Sequence, residues 1–98
     1  MNNYNITDYV RPSHRKGKKW MVKVEGRLVH FGQAGAEDYT MHHDKERSRQ
    51  YRSRHKHDHI HDENKPGFWA YWLLWSFPDI QQAFQYIMET FNPNIELV

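Results

Sequence analysis

Apolar and polar positions alternate over Trp20-Met21-Val22-Lys23-Val24 and again over Arg27-Leu28-Val29-His30-Phe31, with Glu25-Gly26 between them. The pattern predicts a β-hairpin, two half-buried strands joined by a tight turn. Gly32 and Gly35 then mark a loop. The next stretch, residues 45–57, has Tyr51 as its only large apolar residue and cannot form a core stripe. It predicts a solvated basic helix, with Asp38, Thr40 and Asp44 as possible N-caps. On a helix, Lys45, Arg49, Arg52 and Lys56 share one face, and Arg47, Tyr51, Arg54 and His55 share another. Tyr51 is expected to dock the second face to the body and leave the first free.

Pro66-Gly67 stops any helix that precedes it. Phe68 to Trp75 is apolar around its whole circumference and lacks β-branched residues, so it reads as a buried helix rather than a strand. Ser76-Phe77-Pro78-Asp79 has the form of a helix start: a capping serine, an early proline and an acid. Ile80, Ala83, Phe84, Ile87, Met88 and Phe91 follow at helical spacing, until Asn92-Pro93 ends the run. The expected fold is α+β: an N-terminal β-hairpin, a basic helix, a Trp-rich buried helix and a C-terminal amphipathic helix. The expected division is an extended polar and basic arm over 1–17, one small domain over 18–92 and a tail over 93–98.

Ninety-eight residues allow one domain with a modest core, which the 15 aromatic residues help to fill. With no cysteine, disulfides and Cys-based zinc sites are excluded. No apolar run has the length of a membrane span and the first twenty residues lack a signal-peptide core, so the expectation is a soluble protein that is not secreted and makes no use of a membrane.

Net charge is only +2, but the charge is sorted along the chain. Residues 11–27 hold seven basic residues and one acid, residues 45–57 hold six and one, and residues 66–98 hold three acids and no Lys or Arg. A basic first two-thirds suits a polyanionic partner. The residues expected to meet it are Arg15, Lys16, Lys18, Lys19, Arg47, Arg49, Arg52, Arg54 and Lys56. Tyr39, Tyr51 and Trp20 either stack on nucleobases or pack the hairpin on the helices. Three Trp within Phe68 to Trp75 exceed what so small a core needs, which points to an apolar patch for a protein partner.

Six of the eight histidines lie between His42 and His61. On a helix His55 pairs with His59, and His57 with His61, at one-turn spacing that suits a divalent metal, with Asp44, Asp58 and Asp62 as further ligands. The alternative is a solvated polar loop that gains positive charge near pH 6 and strengthens polyanion binding in acid. A hairpin followed by His42, His43, Asp44 and His55 also has the ingredients of a metal-dependent nuclease. No Walker-type phosphate loop and no Ser-His-Asp arrangement is present.

The order Phe31-Gly32, Asp38-Tyr39-Thr40, His42, Asp44, Glu46-Arg47, Tyr51, Arg54-His55, Gly67-Phe68-Trp69, Trp72-Leu73-Leu74-Trp75 and Pro78 resembles a family of small uncharacterised proteins of large DNA viruses and some phages. The resemblance spans about Lys18 to Ile87. It departs at His43, where the family has Lys, and over His57 to His61, where the family is less rich in His. It implies viral origin and no evident enzyme, and it singles out His42, Asp44, Arg47, Tyr51, Arg54 and His55 as shared positions; no cofactor is expected. The expected function is therefore non-enzymatic binding of nucleic acid, most simply DNA, or of an acidic protein surface, with no small-molecule substrate. The alternative is a minor capsid or cement protein touching capsid subunits, with nuclease as a third reading. The expected location is the virion or the host cytoplasm or nucleus.

Overall fold

A computed structural model describes residues 10–95 of the chain. The fold is α+β. Three antiparallel strands, β1 (Val10–Pro12), β2 (Lys18–Val24) and β3 (Arg27–Gln33), lie in the order β1-β2-β3. Four α-helices follow: α1 (Tyr39–His42), α2 (Lys45–His55), α3 (Pro66–Trp69) and α4 (Ile80–Phe91). Between the last two, Ala70–Trp75 winds as a π-helix.

The hairpin is the one expected. Glu25 and Gly26 both take positive φ, 50° and 80°, as a type I′ turn requires. Val22 pairs with Val29 and Trp20 with Phe31. These residues alternate onto one face, and Val22, Val24, Val29 and Phe31 are buried. Gly32 stands in β3 at φ +77°, where an added Cβ would lie 3.1 Å from both Lys19 Cβ and Leu74 Cδ1. The Phe31-Gly32 pair is thus a packing requirement between sheet and π-helix.

Val10–Pro12, within the stretch expected as an extended arm, forms a third strand, with Val10 opposite Val22 and Val10 buried. On the expected tail, Ile95 makes a bridge to Val24, and Glu25 N–H donates to the Asn94 carbonyl at 3.2 Å. The rest of the arm and tail, residues 1–9 and 96–98, lies outside the described residues.

The second half supplies the other side of the core. Phe68, Trp69, Leu73 and Leu74 are buried against the sheet and against Ala83, Phe84 and Ile87 of α4. The expected buried helix is present, but its second part is wider than an α-turn. A π-turn takes one extra residue, and here Leu73 and Leu74 both enter the core while Trp72 and Trp75 flank it. Ser76 does not cap α4 as expected. Its hydroxyl donates to the Tyr71 carbonyl at 2.7 Å and closes the π-helix. Asp79 is the cap, accepting from the N–H groups of Gln81 at 2.8 Å and Gln82 at 3.4 Å. Asn92, left-handed at φ 47°, ends α4 before Pro93.

The loop 56–65 is pinned from beneath by two indoles. Trp69 Nε1 donates to the Glu63 carbonyl at 2.8 Å and Trp72 Nε1 to the Ile60 carbonyl at 2.7 Å. Gly67 closes the same corner, since a Cβ there would sit 2.3 Å from the Asp58 carbonyl oxygen.

Candidate functional site

Helix α2 is held to the body by a narrow seam. Asp44 caps it, with Oδ1 accepting from the N–H of Glu46 at 3.0 Å and Arg47 at 3.2 Å. Ser48 is buried, and its hydroxyl donates to the Trp75 carbonyl at 2.5 Å. One turn on, Tyr51 lies on Trp75 with ring centroids 4.3 Å apart and planes 6° from parallel. Burial, reinforced by the negative charge of Asp58, pushes the Tyr51 phenol up to about 12.

The stack extends in both directions. His55 lies over the other face of Tyr51 at 4.1 Å, and its Nδ1 meets Asp58 Oδ2 at 2.5 Å. His42 packs on Trp75 at 5.4 Å and on Tyr39 at 6.2 Å. Nδ1 of His42 accepts from the Asp44 N–H at 2.9 Å, so the proton of the neutral ring sits on Nε2. Five rings from α1, α2 and the π-helix, in the order His55, Tyr51, Trp75, His42, Tyr39, thus form one column. Of the positions that the motif resemblance singles out, His42, Tyr51 and His55 lie in this column and Asp44 caps the helix that carries Tyr51 and His55, so the geometry gives each a packing role.

Nuclease ligation by His42, His43, Asp44 and His55 does not match this arrangement. Asp44 and His55 stand at opposite ends of α2, separated by roughly 16 Å of helix. Asp44 spends an oxygen on the cap, and His43 Nε2 lies against the Thr40 carbonyl at 3.1 Å. Among the described residues no group of three His, Asp or Glu is arranged to hold a metal ion. The segment from His55 onward is not one helix, because α2 ends at His55 and His59 takes a left-handed φ of 58°, so the expected His pairing at one-turn spacing is absent.

The cationic residues divide into groups. Lys19 leaves the expected polyanion surface. Its ammonium donates to Asp38 Oδ2 at 2.7 Å and the Ala36 carbonyl at 2.6 Å, and the Asp38 side chain is only 3% exposed. The other oxygen of Asp38 accepts from the Thr40 N–H and hydroxyl, so this pair ties β2 to the start of α1. Arg47 pairs with Glu37 at 3.3 Å, and Arg49 pairs with Glu46 one turn back and holds that carboxyl below the usual range. Both are surface pairs, the kind that solvent weakens and a stronger anion displaces. Arg52 is half-buried and donates from Nε to Ser48 Oγ at 3.3 Å, so it belongs to the docking seam and not to the free face. Arg15, Lys16, Lys18, Lys45, Arg54 and Lys56 are exposed, and no carboxylate pairs with any of them among the described residues.

Ser48 and Trp75 complete the seam, and neither stood out in the sequence as a site residue. The signal was present for Ser48: it is a short side chain three positions before Tyr51, on the same helix face, in a helix of long cations.

Residues 9–55 match the model of a family described as a family of unknown function (DUF5754). The match runs from the sheet to the last residue of α2 and stops before the π-helix on which α2 docks. No curated protein and no solved structure matches the chain. No helix among the described residues is long and apolar enough to cross a membrane.

Proposed function

We propose that the protein is a non-enzymatic, virus-encoded binder of nucleic acid, most simply DNA, acting through phosphate contacts with little sequence preference. The carrying observation is the way α2 is mounted. Ser48, Tyr51, Arg52 and His55 face the body, while Arg54, Lys56 and Lys45 project from it without a carboxylate partner among the described residues. Arg15, Lys16 and Lys18 on the β1–β2 turn add a second cluster, and Arg47 and Arg49 are held only by exposed pairs. Phosphate contacts of this kind fix position but carry no sequence information. The viral origin rests on the motif resemblance.

The test is a gel shift with duplex DNA over a range of salt. With about five phosphates neutralised, a fourfold rise in salt lowers affinity by a factor of several hundred. Replacing Lys45, Arg54 and Lys56 together by Ala lowers the salt slope by about three. Absence of retardation at low salt, or binding indifferent to salt, overturns the reading.

A second reading, a minor capsid or cement protein, is favoured by the aromatic flank. Tyr71, Trp72, Phe77, Tyr86 and Phe91 are all half-exposed and in mutual ring contact. Detection at fixed copy number in purified particles supports that reading; absence from them removes it.

A further inference from the structure

A hollow of about 400 Å³ lies along β3, bounded by Arg27, Leu28 and His30 of that strand, by Arg15 from the β1–β2 turn and by Asn64 and Pro66 of the segment leading into α3. Its size suits a small ligand rather than a water. Two independent features of its lining are unusual. First, the two arginines are exposed, and neither has a carboxylate partner among the described residues. No acidic residue lines the hollow. Second, Leu28 is 43% exposed, one of two large apolar residues so placed among those described.

The field there is positive. His30 is 4% exposed, with Nδ1 against Ser13 Oγ at 2.7 Å. Its imidazole is held below the ordinary range by burial first, then by the charges of Arg15, His14 and Lys18. Paired guanidinium groups recognise phosphate by forked hydrogen bonds. The exposed Leu28 beside them suits a ring or sugar.

We infer that this hollow binds a small phosphate-bearing ligand of the nucleotide class, with its phosphate between Arg15 and Arg27 and its ring or sugar on Leu28. The site is separate from the phosphate-tracking face of α2 and goes beyond it. Arg27 belongs to the hollow alone.

The experiment is a titration of the full chain with inorganic phosphate and with adenosine 5′-monophosphate, followed by backbone amide and histidine ring resonances. Saturable shifts are expected at Leu28, Val29, His30 and Asn64, tighter for the nucleotide than for phosphate. Arg27→Ala weakens binding by about tenfold or more, the usual loss for a charge-assisted hydrogen bond. Arg54→Ala leaves it unchanged. Equal affinity for phosphate and nucleotide overturns the nucleotide assignment. Absence of saturable shifts, or shifts centred on Lys45, Arg54 and Lys56, overturns the site. Duplex DNA retardation that persists in Arg27→Ala shows that the α2 reading stands whatever the outcome in the hollow.

Discussion

The rings of Tyr51 and Trp75 face each other at 4.3 Å, 6° from parallel, and that contact joins the strongly basic helix α2 to the hydrophobic core. A helix with like charges at one-turn spacing is weak by itself. Its order depends on what it docks against. Tyr51→Ala should therefore cost about 2–3 kcal/mol, less than a fully buried aromatic because the site is half-exposed. Tyr51→Phe keeps the ring stack and should lie within about 0.5 kcal/mol of the parent. Urea denaturation followed by Trp fluorescence reads both.

Ser48 satisfies the carbonyl of Trp75 at the end of the π-helix. Removing its hydroxyl in Ser48→Ala leaves that acceptor inside the seam without its donor and should cost about 1–2 kcal/mol. The helical signal at 222 nm should fall at a lower urea concentration than in the parent, with an unchanged denaturant slope.

Lys19 and Asp38 form the one buried ion pair among the described residues, at 2.7 Å. Asp38→Ala removes the partner of a desolvated ammonium and the cap of α1 together, and should destabilise by about 3 kcal/mol or more. Asp38→Asn retains the capping oxygen and should cost less. An equal loss in the two variants would show that the cap contributes nothing beyond the charge. Chemical denaturation of both proteins decides this.

His30 sets a pH dependence. Its folded-state pKa lies below the ordinary value of 6.5, because burial, Arg15, His14 and Lys18 all disfavour the imidazolium. Below 6.5 the unfolded chain therefore binds a proton that the folded chain does not. The contribution of His30 is intact above that value and is lost as pH falls from there toward the folded pKa. Thermal melting should show this loss on the acid side of neutrality, and His30→Gln should flatten it. Phosphate or nucleotide seated between Arg15 and Arg27 should reduce the loss by cancelling positive charge near the ring.

Gly67 faces the backbone of Asp58, not a side chain that can move aside. Gly67→Ala should cost about 2–3 kcal/mol through overpacking. The damage should centre on the 56–65 loop, with the indole signals of Trp69 and Trp72 changing in the near-ultraviolet circular dichroism spectrum.

Much of this architecture was legible along the chain, and the gaps have physical reasons. The hairpin was readable because Glu25-Gly26 separates two alternating runs. The amphipathic character of α4 was readable from Ile80 to Phe91, and Asp44 was readable as a cap. Val10–Pro12 was not readable as a strand, since one apolar residue gives no period and its pairing with β2 is a tertiary matter. Ser76 and Asp79 both have capping chemistry, and only the π-helix, which occupies Ser76, decides between them. Lys19 looked like its neighbours Lys16 and Lys18. Nothing local distinguishes it from them, because its partner Asp38 is 19 residues away. The column of rings was half visible: His42, Tyr51 and His55 were picked out together, while the residue that joins them, Trp75, was read only as core.

The wide winding of Ala70–Trp75 makes the number of residues in that stretch as consequential as their identity. Winding the same six residues as an α-helix would swing every later side chain by about 100° about the axis, the turn of one residue. Trp75 would then point away from Tyr51, and the basic helix would lose its seat although every aromatic residue remained in the chain. A relative one residue shorter here should thus wind the stretch as an α-helix and keep its cationic helix seated.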